Sequence, residues 1–128
     1  MATEEQVLNA VVALVDAALP ARTEVHEAGA MDKPYPPEFV TVYVVRRGGG
    51  TGRAGRRATR GWAAYLTGAS SESGHNARNS LRLAGDALEN KVLAVGDERS
   101  TPMTFDNGRA VTEDKGWHSG VSVYHFTI

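Results

Sequence analysis

The chain has 128 residues and a net charge of −1, with 41% hydrophobic and 23% charged residues, 14 glycines and no cysteine. That length predicts a single domain over residues 1–128. The absence of cysteine excludes disulfides, thiolate nucleophiles and thiolate-bound metals, and no apolar run approaches the ~18 residues of a membrane-spanning helix. The first five residues, MATEE, are acidic where a secretory leader would be basic, so synthesis in the cytoplasm is expected.

The first predicted element is a helix. Thr3 and Gln6 have the spacing of a capping box, and Glu4 and Glu5 suit the positive end of a helix dipole. Val7, Val11, Leu14, Val15 and Ala18 recur at helical spacing until Pro20 stops the run. Residues 22–28 (RTEVHEA) carry a weak strand signal. Pro34, Pro36 and Pro37 around Tyr35 then require an extended connection. Glu38–Arg47 (EFVTVYVVRR) is dense in β-branched and aromatic residues and predicts a strand with both faces at least partly covered.

Gly61–Gly68 (GWAAYLTG) predicts a second strand. The segment between the two strands makes a hairpin with an oversized arm. The polar run Ser70–Ser73 opens a second helix with an apolar stripe of Ala77, Leu81, Ala84, Leu88 and Val92, closing near Gly96. Asp106-Asn107-Gly108 reads as a hairpin turn between 101–105 and 109–112, and Gly120–Ile128 as a final strand. The order predicts an α+β fold: an antiparallel β-sheet flanked by two α-helices, with a long Gly/Arg-rich hairpin arm.

The near-neutral total conceals an asymmetry. Residues 46–60 (RRGGGTGRAGRRATR) hold six of the eleven arginines, Arg46, Arg47, Arg53, Arg56, Arg57 and Arg60, and no carboxylate. Removing those six charges from the total leaves −7 on the rest of the chain. The basic arm spanning 46–61 is therefore the candidate charge contact. It admits a solvated loop, phosphate contact with nucleic acid, or an acidic protein surface as readings. The arm lacks the interleaved aromatics of a base-stacking platform, so sequence-specific recognition is not expected.

Gly50–Gly55 matches G-x-G-x-x-G, but a dinucleotide site needs a helix after the loop, and RRATRGWAAYLTG reads as strand. The same stretch lacks the Lys-Ser/Thr of a P-loop. His26, His75, His118 and His125 show no metal-binding spacing, and no G-x-S-x-G elbow is present. Asp97-Glu98 and Glu113-Asp114 fall in predicted turns and read as solvated surface. No catalytic set, cofactor or metal is expected, and the chain reads as a non-enzyme. Trp62, Trp117, Tyr43, Tyr65 and Tyr124 read either as core and sheet-face residues or as part of a subunit interface.

The layout as a whole resembles the tail terminator (head–tail joining) family of long-tailed bacteriophages, those of actinobacterial hosts in particular. The residues that carry the likeness are FVTVYVV, the Gly-rich excursion, the strand ending Leu66-Thr67-Gly68, and the helix from Ala77 to Val92 with its AGDALENKV segment. The resemblance spans about residues 4–128. It implies an α+β subunit that closes into a homo-oligomeric ring, typically a hexamer. Such a ring caps the tail tube protein and offers a surface to the head-side connector, while genomic DNA passes through its lumen. It implies residence in the virion at the head–tail junction, no membrane and no active site. The arginine density of 46–60 departs from the family pattern. The alternative is a small nucleic-acid-binding module using that arm for non-specific phosphate contacts.

Overall fold

A computed structural model describes residues 2–47 and 61–128. Helix α1 (Glu4–Ala18) begins with the predicted capping box: Thr3 accepts from the Gln6 backbone N–H while the Gln6 side chain accepts from the Thr3 N–H at 3.0 Å. Val7, Val11 and Val15 are its buried line. Strands β1 (Glu24–Glu27), β2 (Glu38–Arg47) and β3 (Gly61–Ser70) follow. Helix α2 (Gly74–Leu88) is capped by the Ser73 hydroxyl, which accepts from the Asn76 N–H. Strands β4 (Val92–Val95), β5 (Glu98–Pro102), β6 (Thr104–Asp114) and β7 (Trp117–Thr127) complete the chain.

Five strands form one sheet in the order β1-β2-β3-β7-β6, and β4 and β5 form a separate hairpin. All neighbours in the large sheet are antiparallel except β1 and β2, which run parallel. The fold is α+β, as expected. Strands β2 and β3 pair without a break from Glu38↔Ser70 to Arg47↔Gly61, so the arm leaves from a fully formed hairpin. Alternation along that register divides the side chains cleanly. Val40, Val42, Val44, Trp62, Ala64 and Leu66 face both helices, together with Tyr124 and Phe126 of β7. Gly68 shares this face and brings the α2 backbone close: a Cβ there would lie 2.9 Å from both the Ala77 carbonyl and the Leu81 Cβ.

Two sequence expectations are corrected. The apolar stripe does not carry α2 to Val92. The helix ends at Leu88, Asn90 takes a left-handed conformation (φ 61°), and Val92 lies half-exposed in β4. Gly96 (φ 59°) then turns the β4–β5 hairpin instead of closing a helix. Asp106-Asn107-Gly108 is not a turn. It lies inside β6, where Asn107 pairs with Val123 and Gly108 with Ser122 across an irregular register. The hairpin reverses at Lys115 (φ 51°) and Gly116 (φ 85°), with two positive φ angles as a tight two-residue turn requires. A turn at 106–108 would have left only short strands; the observed turn lets two 11-residue strands pair.

Both faces of the β2–β3–β7 region are at least partly covered, as expected: on the side of Phe39 and Thr41, which are half-buried, Ala63, Ala69 and Val123 are buried. No described helix packs on the face that carries Phe39, Tyr43, Val45, Tyr65 and Trp117, and Tyr43 is 40% exposed. Among the described residues, helices cover one face of the sheet.

Candidate assembly surface

At the open face, Tyr43 and Tyr65 sit directly opposite one another on β2 and β3. Their rings stack at 4.5 Å with an interplanar angle of 5°. Further along β2, Phe39 packs against Trp117 of β7 at 5.5 Å, and Tyr35 from the proline-rich connection closes the group edge-on. These aromatics therefore divide: Trp62 and Tyr124 belong to the core, whereas Tyr43, Tyr65 and Trp117 build an aromatic surface. Rings of this kind supply large contact area at little conformational cost, which is why they concentrate at interfaces.

The arm's two described arginines are engaged within the subunit. Arg46 points to the helix side, where its guanidinium lies over the Trp62 ring at 5.1 Å and donates to the Ala2 carbonyl at 3.3 Å. Its Nε is buried without a partner among the described residues, so this half-buried residue packs over the end of the core. Arg47, on the open side, donates to the Asp106 carboxylate at 3.2 Å. Interaction with Tyr65, and then with Asp106, raises the pKa of its guanidinium above the ordinary value. Arg53, Arg56, Arg57 and Arg60, and the G-x-G-x-x-G stretch, lie outside the described residues. The next described element is β3, which pairs antiparallel with β2.

The histidines do not converge. His26 and Glu24 form an exposed pair at 3.0 Å. His118 and His125 sit on opposite faces of β7, opposite Ser70 and Ala63 respectively. Among the described residues no group of three His, Asp or Glu could hold a metal ion. No helix there is long and apolar enough to cross a membrane. Of the acidic pairs, Asp97 lies in the β4–β5 turn, and the Glu113 carboxylate accepts from the Gly116 N–H beside the β6–β7 turn.

One polar anchor escaped the sequence reading. Glu38 is 4% exposed at the start of β2, its carboxylate accepts from the Ser80 hydroxyl of α2 at 2.6 Å, and Arg22 stands 3.8 Å away. The contact ties β2 to α2 and to the segment before β1. Its only sequence signal is an acid at the head of an otherwise apolar strand.

No family model and no curated protein matches the chain. Among solved structures, a chain from the virion of a native gene transfer agent particle aligns with a TM-score of 0.63 at 17% identity. That alignment covers 98% of this chain and 90% of the other. A second solved chain aligns with a TM-score of 0.69 at 14% identity, covering 98% of this chain and 94% of its own length. At such identities the likeness is one of fold.

Proposed function

We propose that the chain is a non-enzymatic structural protein of a phage-type virion, a single-domain subunit that self-associates into a ring. In this reading it is a tail terminator. The ring, a hexamer, caps the tail tube, ends tube polymerisation and presents the surface that joins tail to head connector, with the genome passing through its lumen. The observation that carries the reading is the near end-to-end agreement of fold with a component of a gene transfer agent virion. The open aromatic sheet face and the arginine-rich arm supply the kind of unlike patches that head-to-tail ring contacts use.

The test is native mass over a concentration series at low and high salt, with negative-stain images of any large species. Closed rings are expected; a strict monomer at every concentration overturns self-association. Replacing Arg53, Arg56 and Arg57 by Ser should weaken assembly and flatten its salt response if the arm meets an acidic neighbour.

A nucleic-acid module is the second reading, favoured by the arm's composition. Because Arg46 and Arg47 are held within the subunit, the phosphate contacts fall to the four arginines of 53–60. The salt slope for duplex DNA should then not exceed about −4, at about −0.9 per phosphate. Salt-dependent DNA affinity of that size in a monomeric protein would favour this reading.

A further inference from the structure

The two lateral edges of the sheet differ locally: one has an acidic corner, and the other a groove lined by two arginines, with Asp106, Glu113 and Asp114 of β6 and Asp86 of α2 lying outside that lining. At one edge, α1 and β1 (residues 4–27) carry Glu4, Glu5, Asp16, Glu24 and Glu27 against a single arginine, Arg22, which stands near Glu38. A cleft opens there between the end of α1 and β1, bordered by Asp16, Leu19, Pro20 and Glu24. The last turn of α1 has no basic residue to balance its negative end. Glu24 already accepts from His26, but a carboxylate has lone pairs for further donors. Thr23 also lines this cleft, with its hydroxyl buried and unpartnered among the described residues. The corner is incompletely satisfied in the isolated subunit.

At the opposite edge, α2 and β6 enclose a mostly apolar groove. Leu81, Val111 and Val121 line it, Phe105 stands 53% exposed beside them, and Arg78 and Arg109 supply its charges. Arg109 is already fixed in place: it donates to the Thr112 hydroxyl at 2.6 Å and to the Ser119 carbonyl at 3.1 Å. A guanidinium held in this way loses little freedom on meeting a carboxylate. The cations thus line the groove at β6, and the anions border an apolar corner, Leu19-Pro20, at β1.

We infer that the groove between α2 and β6 receives the Leu19-Pro20 corner of a second copy of this chain, with Arg78 and Arg109 facing that copy's Asp16 and Glu24. The contact joins unlike patches on opposite sides of one subunit, so repetition propagates head to tail and closes when the rotation permits. The inference rests on the ring reading above and assigns its lateral contact.

Because the chain has no cysteine, the juxtaposition can be tested covalently. Ala21 in the cleft and Ala110 in the groove are both exposed, and replacing each with Cys changes little else. Under mild oxidation the A21C/A110C double variant should give a ladder of covalent oligomers up to the ring size, whereas each single variant should stop at dimers. Rings by native mass without a ladder would overturn this contact and leave the ring reading standing. A monomer without a ladder at every concentration would overturn both.

Charge reversal gives a second readout. R78E/R109E and D16R/E24R, each checked for an intact fold by circular dichroism, should separately need at least about tenfold more protein to assemble. Mixing the two should restore assembly, because each reversed edge then meets its complement. Failure of the mixture to recover, with both variants folded, would also overturn the contact.

Discussion

Two glycines on the same strand should respond in opposite directions to the same substitution. At Gly68, a methyl group would lie 2.9 Å from the Ala77 carbonyl, 2.9 Å from the Leu81 Cβ and 3.2 Å from the Leu81 nitrogen. Two of those three atoms are helix backbone, so the strain cannot be relieved by rotating a flexible side chain, and α2 must lift from β3. Overpacking a well-packed interface costs about 1–3 kcal/mol, and a rigid obstacle places Gly68→Ala at the upper end. At Gly61, the nearest atom to a new Cβ is the Arg47 Cβ at 3.6 Å, an ordinary contact. Gly61→Ala should gain roughly 0.5 kcal/mol by restricting the unfolded chain. For a domain of this size the difference corresponds to a Tm lowered by roughly 10 °C in one variant and raised by about 2 °C in the other. Thermal and urea denaturation, followed by far-UV circular dichroism, measure both. Equal stabilities for the two variants would refute the close approach of α2 to β3 and the face assignment of the sheet.

Other perturbations test different parts of the structure. Thr3→Ala removes the α1 cap and should cost about 1 kcal/mol by urea unfolding, since the Gln6 N–H loses its acceptor. Ser80→Ala leaves the buried Glu38 carboxylate without its 2.6 Å donor and should cost about 2 kcal/mol, with Arg22 at 3.8 Å a weak substitute. Lys115→Asn should stabilise the β6–β7 hairpin by roughly 0.5 kcal/mol, since asparagine tolerates the left-handed conformation better than lysine. Burial, and then the nearby Glu89 and Asp86, raise the Tyr124 phenol above its ordinary pKa of 10.0. The folded chain therefore holds a proton that the unfolded chain releases. This contribution is complete below pH 10 and is lost as the pH rises through the raised value. Tyr124→Phe should flatten the alkaline fall in stability, and an unchanged pH profile would discount the buried phenol.

Local chemistry determined much of this molecule in advance. The Thr3–Gln6 cap, the Val7-Val11-Val15 stripe and the bounds of β2 depend on neighbours within one or two turns, or on period-two alternation, and all are present as the sequence specifies. Tertiary pairing decided the rest. Asp106-Asn107-Gly108 and Lys115-Gly116 are both acceptable turns by composition, and only the longer pairing with β7 selects the second. The stripe through Val92 is helical in spacing, yet the chain breaks at Asn90 and uses 92–102 as a hairpin. Composition likewise placed six arginines together. Only the tertiary structure shows that Arg46 packs on Trp62 of β3 and Arg47 binds Asp106 of β6. The contrast between the acidic β1 edge and the Arg-bearing groove at β6 could not be read along the chain. It arises from a strand order that places β1 and β6, nearly eighty residues apart in sequence, at opposite ends of one sheet.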